Sequence, residues 1–171
     1  MDARVHRLQG EAERVKPTEL VRLLEDCFRE RLQLMVDHQD SARRIGRYEF
    51  NNTYQNIIAR EETHLEWLAE AIRRLGGSSP ESAAARQGPA AERDAIEADR
   101  RREQEFVDRW RPRVAQLTHA RHRKMLEVIL GESLEHVRFL AEAAAGDTGL
   151  LGRGAPGAGE RGSVLPDRWV G

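Results

Sequence analysis

A glutamate and a histidine one helical turn apart belong to a pattern that this sequence partly repeats. Glu61 and His64 lie in the stretch EETHLEWLAEAI, and 72 residues after His64 comes His136, in the similar stretch GESLEHVRFLAEAA. Residues three apart on a helix project to the same side, so Glu61 and His64 present an oxygen and a nitrogen together. Imidazole suits iron and zinc, and carboxylate suits manganese and other hard cations. The pair therefore indicates a metal site in a chain with two similar halves.

In the second stretch the spacing between the glutamate and the histidine differs by one residue from that in the first. Ser133 stands three residues before His136, whereas Glu132 lies four before it and Glu135 directly before it. A four-residue step is about 400° around a helix, so Glu132 still reaches the face of His136. We expect Glu132 to be the ligand and Glu135 to be exposed, with Glu135 as the alternative ligand.

Two further helical segments carry an acid near the middle of the apolar face. Glu30 has this position in the first segment and Glu103 in the third, with Asp99 as the alternative to Glu103. In an antiparallel bundle, mid-helix carboxylates from all the helices meet at one level. Buried carboxylates are costly unless they are paired or bind a cation, so a metal centre is predicted there. The predicted metal ligands are Glu30, Glu61, His64, Glu103, Glu132 and His136.

Two nearby polar residues have simpler interpretations. His38 lies one apolar line away from Glu30, which favours a histidine at the edge of the core over a ligand. Tyr54 is on the stripe of Glu61, seven residues before it, where it packs as an aromatic or donates a hydrogen bond to a ligand carboxylate.

Helical periodicity and end signals define the elements that must position these residues. The expected helices run from Pro17 to near Gly46, from about Tyr48 to Gly76, from Pro89 to about Leu117, and from Thr118 to before Gly146. Pro112 should kink or break the third helix near its end. Equal lengths of about 28 residues, or about 40 Å, are typical of a four-helix bundle.

The connections predict how the helices pair. Short turns at Gly46 and Thr118 favour antiparallel pairs of helices 1 with 2 and 3 with 4. The fourteen residues from Gly76 to Pro89 can extend about 45 Å, which permits a long crossover between helices 2 and 3, although a floppy turn is the alternative. The expected parts are an N-terminal extension (1–16), a four-helix domain (17–145) and a flexible, disordered Gly/Pro-rich tail (146–171).

Composition and charge disfavour some classes of protein, and the cysteine count excludes others. Charged residues make up 33% and aromatics 5%, with few alternating β-branched runs, which predicts solvated helices. The net charge of -1 gives no field that would attract nucleic acid or an anionic membrane. Cys27 is the only cysteine, so an internal disulfide and a four-cysteine rubredoxin site are excluded. No apolar run suits a signal peptide or a membrane span, and we expect a cytoplasmic protein.

The ligand order resembles that of the ferritin-like superfamily, which includes rubrerythrins, bacterioferritins and carboxylate-bridged di-iron oxidases. The residues that carry the resemblance are Glu30, Glu61-x-x-His64, Glu103 and the pair Glu132 and His136. It covers about residues 17–145 and implies an all-α, ferritin-like four-helix bundle with a long crossover. It also implies a non-haem centre of two iron or manganese ions.

Two hypotheses of function follow from this resemblance. The leading one is a di-metal oxidoreductase, di-iron or iron and manganese, that acts on oxygen, peroxide or ferrous ion. The alternative is a metal-free scaffold or interaction protein of the same fold, with a degenerate site whose acids are neutralised by Arg60, Arg102 and Arg138.

The expected partners are further copies of the chain and a docking protein. We expect a homo-oligomer, a dimer or larger. The tail ends in SVLPDRWVG, where Leu165 and Trp169 concentrate apolar surface after a Gly/Pro-rich run. Such a segment can act as a docking peptide for a neighbouring subunit or a protein shell.

Overall fold

The computed structural model describes residues 17–147, which form four α-helices and, within that range, no strand. The helices are α1 (Pro17–Arg44), α2 (Tyr48–Arg74), α3 (Glu92–Ala115) and α4 (Ala120–Ala144). The all-α prediction is confirmed. The predicted extension at 1–16 and the predicted tail from 148 onwards lie outside the described residues, as does the proposed docking peptide.

The helices are joined and packed as a four-helix bundle. Residues 45–47 join α1 to α2, and residues 116–119 join α3 to α4. The two helices of each pair pack side by side, while α1 also packs on α3 and α2 on α4. Consequently α1 and α4 are diagonal to each other, and so are α2 and α3.

The connection from residue 75 to 91 runs along the length of α1. Near the start of α1, the backbone N–H of Ser78 donates to Glu25 at 3.2 Å. Near its end, Nη1 of Arg44 donates to the carbonyl of Pro89 at 2.6 Å. The chain thus returns to the end of the bundle where α2 began, so α2 and α3 run parallel. The long crossover between helices 2 and 3 is confirmed.

Asp37 of α1 forms hydrogen bonds with the middle of this crossover. Its side chain, only 1% exposed, accepts hydrogen bonds from the backbone N–H of Arg86 at 2.8 Å and from Arg86 Nε at 2.7 Å. Gln33, one turn before it, donates to the same carboxylate and to the carbonyl of Ala84. A buried carboxylate that needs these donors holds the segment in place, so it is not a floppy turn.

The helix ends agree with the sequence except at Pro112. After α2, Gly76 adopts a left-handed backbone with φ of 79°, which glycine accepts without steric cost. In α3 the helix continues through Pro112 and ends at Ala115. Because the proline lies in the last turn, it removes a backbone hydrogen bond only where the helix is about to end.

The apolar core is divided into two clusters. The cluster towards the start of α1 includes Leu24, Leu68, Trp110 and Ile129. The cluster towards the end of α1 includes Ile45, Phe50, Ile96 and Leu140. Between residues 17 and 147, no helix combines the length and the apolar character that a membrane span requires.

Candidate metal centre

Between the two apolar clusters, the helices enclose a layer of buried polar side chains. This polar layer consists of Arg31, His38, Glu61, His64, Glu103, Ser133 and His136, each at most 2% exposed. Every helix contributes to it, since the seven positions are distributed over α1, α2, α3 and α4. Ionisable groups at such depth need partners, and the layer supplies them internally.

The guanidinium of Arg31 occupies the centre of the polar layer. Its Nη1 donates to Oε1 of Glu103 at 2.6 Å, and its Nη2 lies 3.7 Å from Oε1 of Glu61. Nη2 is also 3.3 Å from Nδ1 of both His64 and His136. Burial opposes the charge of Arg31, but Glu103 and Glu61 outweigh it and raise its pKa above the ordinary value.

The two carboxylates of the polar layer are held by different cations. Burial opposes the ionisation of Glu103, but Arg31 outweighs it and keeps the pKa of Glu103 well below its usual range. Nδ1 of His38 lies 3.0 Å from both oxygens of Glu61. Burial lowers the pKa of His38, but Glu61 reverses this and raises it to about 9. His38 is therefore protonated at neutral pH and donates to Glu61.

His64 connects the polar layer to the surface. Its Nε2 lies 2.7 Å from Oε2 of Glu132, and Nη2 of Arg60 donates to Oε1 of the same carboxylate at 2.6 Å. Burial and Arg31 lower the pKa of His64 to about 4, so the imidazole is neutral at pH 7. Nε2–H then donates to Glu132, and Nδ1 accepts from Arg31.

Four of the six predicted ligands lie in the polar layer: Glu61, His64, Glu103 and His136. Glu132 lies at its rim, with a side chain 25% exposed. Glu135 is exposed, as expected, and pairs with Arg138. Asp99 is buried but is bonded to the hydroxyl of Tyr54 at 2.8 Å and to Arg102 at 3.2 Å. Tyr54 is thus both packed and hydrogen-bonded, though to Asp99 rather than to a predicted ligand.

Glu30 is not brought to the others, in contrast to the expectation. Its Oε2 accepts from Arg109 at 2.8 Å and from Nε1 of Trp110 at 3.1 Å, and its side chain is 33% exposed. The next residue, Arg31, points into the bundle instead. The spacing contained this signal, because residue 31 is four after the apolar Cys27 and three before Leu34.

His38 also differs from its expected place at the edge of the core. It is fully buried and contacts Glu61 directly. It lies seven residues, or two helical turns, after Arg31 on the same face. Once Arg31 is known to face inwards, the same spacing predicts that His38 does too.

The two halves of the bundle meet at equivalent positions. Arg31 contacts Glu103, and Arg60 contacts Glu132, in each case across 72 residues of sequence. The rings of His64 and His136 have the same separation in sequence and stack with centres 6.3 Å apart. Contacts between equivalent residues are expected where an approximate two-fold axis passes between the halves.

Comparison with known proteins supports this architecture. No protein-family model matches the sequence, and neither does any curated protein. The fold is that of ferritin-like proteins. Among solved structures, the chain is similar to a crystal structure of a ferritin-like, diiron-carboxylate protein from Bacillus anthracis str. Ames, with 20% sequence identity and a TM-score of 0.64. The match covers 75% of this chain and 96% of that one. The ferritin-like fold expected from the ligand pattern is confirmed.

One group of buried side chains could hold a metal ion. Within residues 17–147, His38, Glu61 and Glu103 form a buried group whose ligand atoms lie within 4.8 Å of one another. Oε2 of Glu103 and Nε2 of His38 are also buried without a hydrogen-bond partner among the described residues. Nδ1 of His64 and Nδ1 of His136 each lie 3.3 Å from Nη2 of Arg31, so an ion bound by these two nitrogens would compete with the guanidinium.

Proposed function

We propose that the protein binds one divalent iron or manganese ion at His38, Glu61 and Glu103. The observation that supports this most directly is the convergence of three buried ligands within 4.8 Å in the middle of the bundle. Two carboxylates and one imidazole suit iron(II) and manganese(II). Such an ion, when bound, supplies one-electron chemistry towards oxygen or peroxide, which is consistent with an oxidoreductase.

The chain's own residues prepare the site for a cation. Arg31 keeps Glu103 ionised and engages its Oε1, which leaves Oε2 as a ligand atom. His38 binds a metal only after it releases its proton, so cation binding and protonation compete at this position. The apolar clusters on either side exclude bulk water, which strengthens the attraction between the cation and both carboxylates.

A metal-free scaffold is the second candidate, and one specific observation favours it. The charges of Arg31 and protonated His38 already balance those of Glu61 and Glu103. A buried network of balanced charges needs no ion to be stable. The two-metal oxidoreductase expected from the sequence would instead require Arg31 to leave the centre.

Metal stoichiometry distinguishes these functions. The full chain would be treated with a chelator and titrated anaerobically with Fe(II) or Mn(II), with bound metal measured by mass spectrometry after gel filtration. We expect one ion per chain. No bound ion would support the scaffold, and two would support the di-metal oxidoreductase.

Substitutions assign the bound ion to the proposed site. Glu103→Gln should abolish binding, because it removes a charged ligand without a large change in shape. Glu135→Gln is the matched control, since Glu135 is exposed and pairs only with the surface residue Arg138. Equal binding by both variants would place the ion elsewhere.

A further inference from the structure

We propose that Arg31 is a built-in cation that takes the place of one metal ion in a two-ion centre. This inference rests on the proposed function in one respect, namely how many ions the unmodified chain is expected to bind. Its basis is the arrangement of the two halves around the guanidinium.

Arg31 occupies the position of the repeat that is equivalent to Glu103. These two residues are separated by 72 positions, the same separation as His64 and His136. If both halves carried glutamate at this position, two carboxylates would face each other across the axis at hydrogen-bond distance. Such a pair requires a cation or a shared proton. The guanidinium is that cation, attached covalently to one half.

Arg31 contacts the groups that would otherwise bind a metal ion. Its terminal nitrogens reach one carboxylate from α2, one from α3 and an imidazole nitrogen from each of α2 and α4. These are the oxygen and nitrogen ligands that a metal ion would gather from the same helices. Arginine is suited to this role because its charge persists on burial and its planar fork reaches several acceptors.

The second half differs from the first in a way that matches the presence of Arg31. Shifting Glu61 by 72 positions gives Ser133, which is fully buried and whose Oγ has no hydrogen-bond partner. Its hydroxyl therefore takes no part in the hydrogen bonds of the layer. A carboxylate at position 133 would be a third acid beside Glu61 and Glu103, in a layer where Arg31 is the permanent cation. Arg31 and Ser133 therefore form one exchange, in which a guanidinium replaces an ion and one carboxylate becomes unnecessary.

One consequence concerns the chemistry of the centre. A guanidinium is not redox-active and does not dissociate, so electron transfer shared between two adjacent metal ions is unavailable. The guanidinium of Arg31 permanently supplies the positive charge that an exchangeable ion would otherwise bring.

The proposal is tested by replacing both Arg31 and Ser133 with glutamate. The double variant Arg31→Glu/Ser133→Glu restores equal residues in the two halves, and the volume released at position 31 offsets much of the volume added at position 133. We expect this variant to bind one more Mn(II) per chain than the unmodified chain, whether that chain binds one ion or none. Arg29→Glu is the control, because Arg29 lies on the same helix but is 60% exposed and pairs with Asp26. It should leave the stoichiometry unchanged.

A second variant keeps the proposal testable if the double variant does not fold. Arg31→Met removes the cation without adding ligands, so Mn(II) should raise its melting temperature more than it raises that of the unmodified chain. An equal or smaller rise would overturn the proposal. So would a folded double variant that binds no additional Mn(II), or an unmodified chain that already binds two ions. If the unmodified chain binds no Mn(II) but the double variant binds one, the proposed function fails while this inference stands.

Discussion

The two halves of the bundle have the same helices and different chemistry. In chain order, the equivalent positions carry Arg31, Glu61 and His64 in the first half and Glu103, Ser133 and His136 in the second. The first half has its acid, Glu61, on its second helix, whereas the second half has its acid, Glu103, on its first helix. At these positions neither half alone has a complete set of metal ligands, and the six positions together carry two carboxylates, two imidazoles, one guanidinium and one hydroxyl.

Residues at equivalent positions on the axis balance each other in charge and are not repeated. A cation in the first half faces a carboxylate of the second at 2.6 Å. The same holds at the rim, where Arg60 faces Glu132 at 2.6 Å. Equivalent positions at an axis are in contact, so identical charges there would repel. Opposite charges remove that repulsion without an external ion.

The halves also differ at the positions two helical turns after Arg31 and Glu103. His38 in the first half and Trp110 in the second are separated by 72 residues. His38 contacts Glu61 within the polar layer, whereas Trp110 belongs to an apolar cluster and donates to Glu30. The first half therefore extends the polar layer towards the end of α1, and the second half closes it with an aromatic ring.

The largest effect is expected for the removal of the central cation in the metal-free protein. Arg31→Met leaves Glu61 and Glu103 buried without that charge, and we expect the free energy of unfolding to fall by about 3–5 kcal/mol. Urea unfolding with a chelator present would measure it. Arg29→Met is the surface control, with an expected loss below about 1 kcal/mol. If the two variants lose the same stability, the guanidinium does not hold the halves together.

The next effect compares the equivalent positions 61 and 133. Glu61→Gln removes the charged partner of His38 and should cost about 1–3 kcal/mol of unfolding free energy, and it should also abolish Mn(II) binding. Ser133→Ala removes a buried hydroxyl without a partner and should be neutral or stabilising. Chemical unfolding and metal analysis of both variants would check this. Similar losses in both would show that the halves contribute equally.

The histidines of the first half should give the metal-free protein a stability maximum near pH 6.5. His38 has a raised pKa of about 9, so its contribution is complete below its ordinary pKa of 6.5 and is lost as the pH rises through 9. His64 has a lowered pKa of about 4, so its contribution is complete above 6.5 and is lost as the pH falls to 4. Unfolding with a chelator between pH 4 and 9 would measure both limbs.

One variant assigns the decline above pH 6.5 to His38. His38→Gln should remove the decline above pH 6.5 and retain the acidic decline. A profile of His38→Gln that still falls above pH 6.5 would show that another group is responsible.

The smallest effect is expected for Glu30, which the sequence suggested as a ligand. Glu30→Gln changes a partly exposed pair with Arg109, so stability should fall by less than about 1 kcal/mol and Mn(II) binding should be unchanged. The Mn(II) content of the Glu30→Gln variant would check this prediction. Loss of the bound ion in this variant would restore Glu30 to the site and contradict the inward position of Arg31.

Much of the fold was predictable from local patterns. The ends of α1, α2 and α4 are marked by Gly46, Gly76 and Gly146, and the crossover is long enough to return along the bundle. Periodicity also distinguished the rim residue Glu132 from the exposed Glu135. These features depend on spacing along one helix or on the length of one connection, which a sequence states directly.

The composition of the polar layer was decided by tertiary structure. Residues 30 and 31 are about 100° apart on α1, and an apolar stripe is about that wide, so periodicity alone separates them poorly. A carboxylate suits a metal centre and an arginine is costly in a core, which favoured Glu30. The cost of burying Arg31 disappears only because Glu103 on α3 and Glu61 on α2 approach it. Local patterns in the sequence therefore predict four helices, their order and two similar halves. The side chain that occupies the axis depends on partners that other helices bring to it.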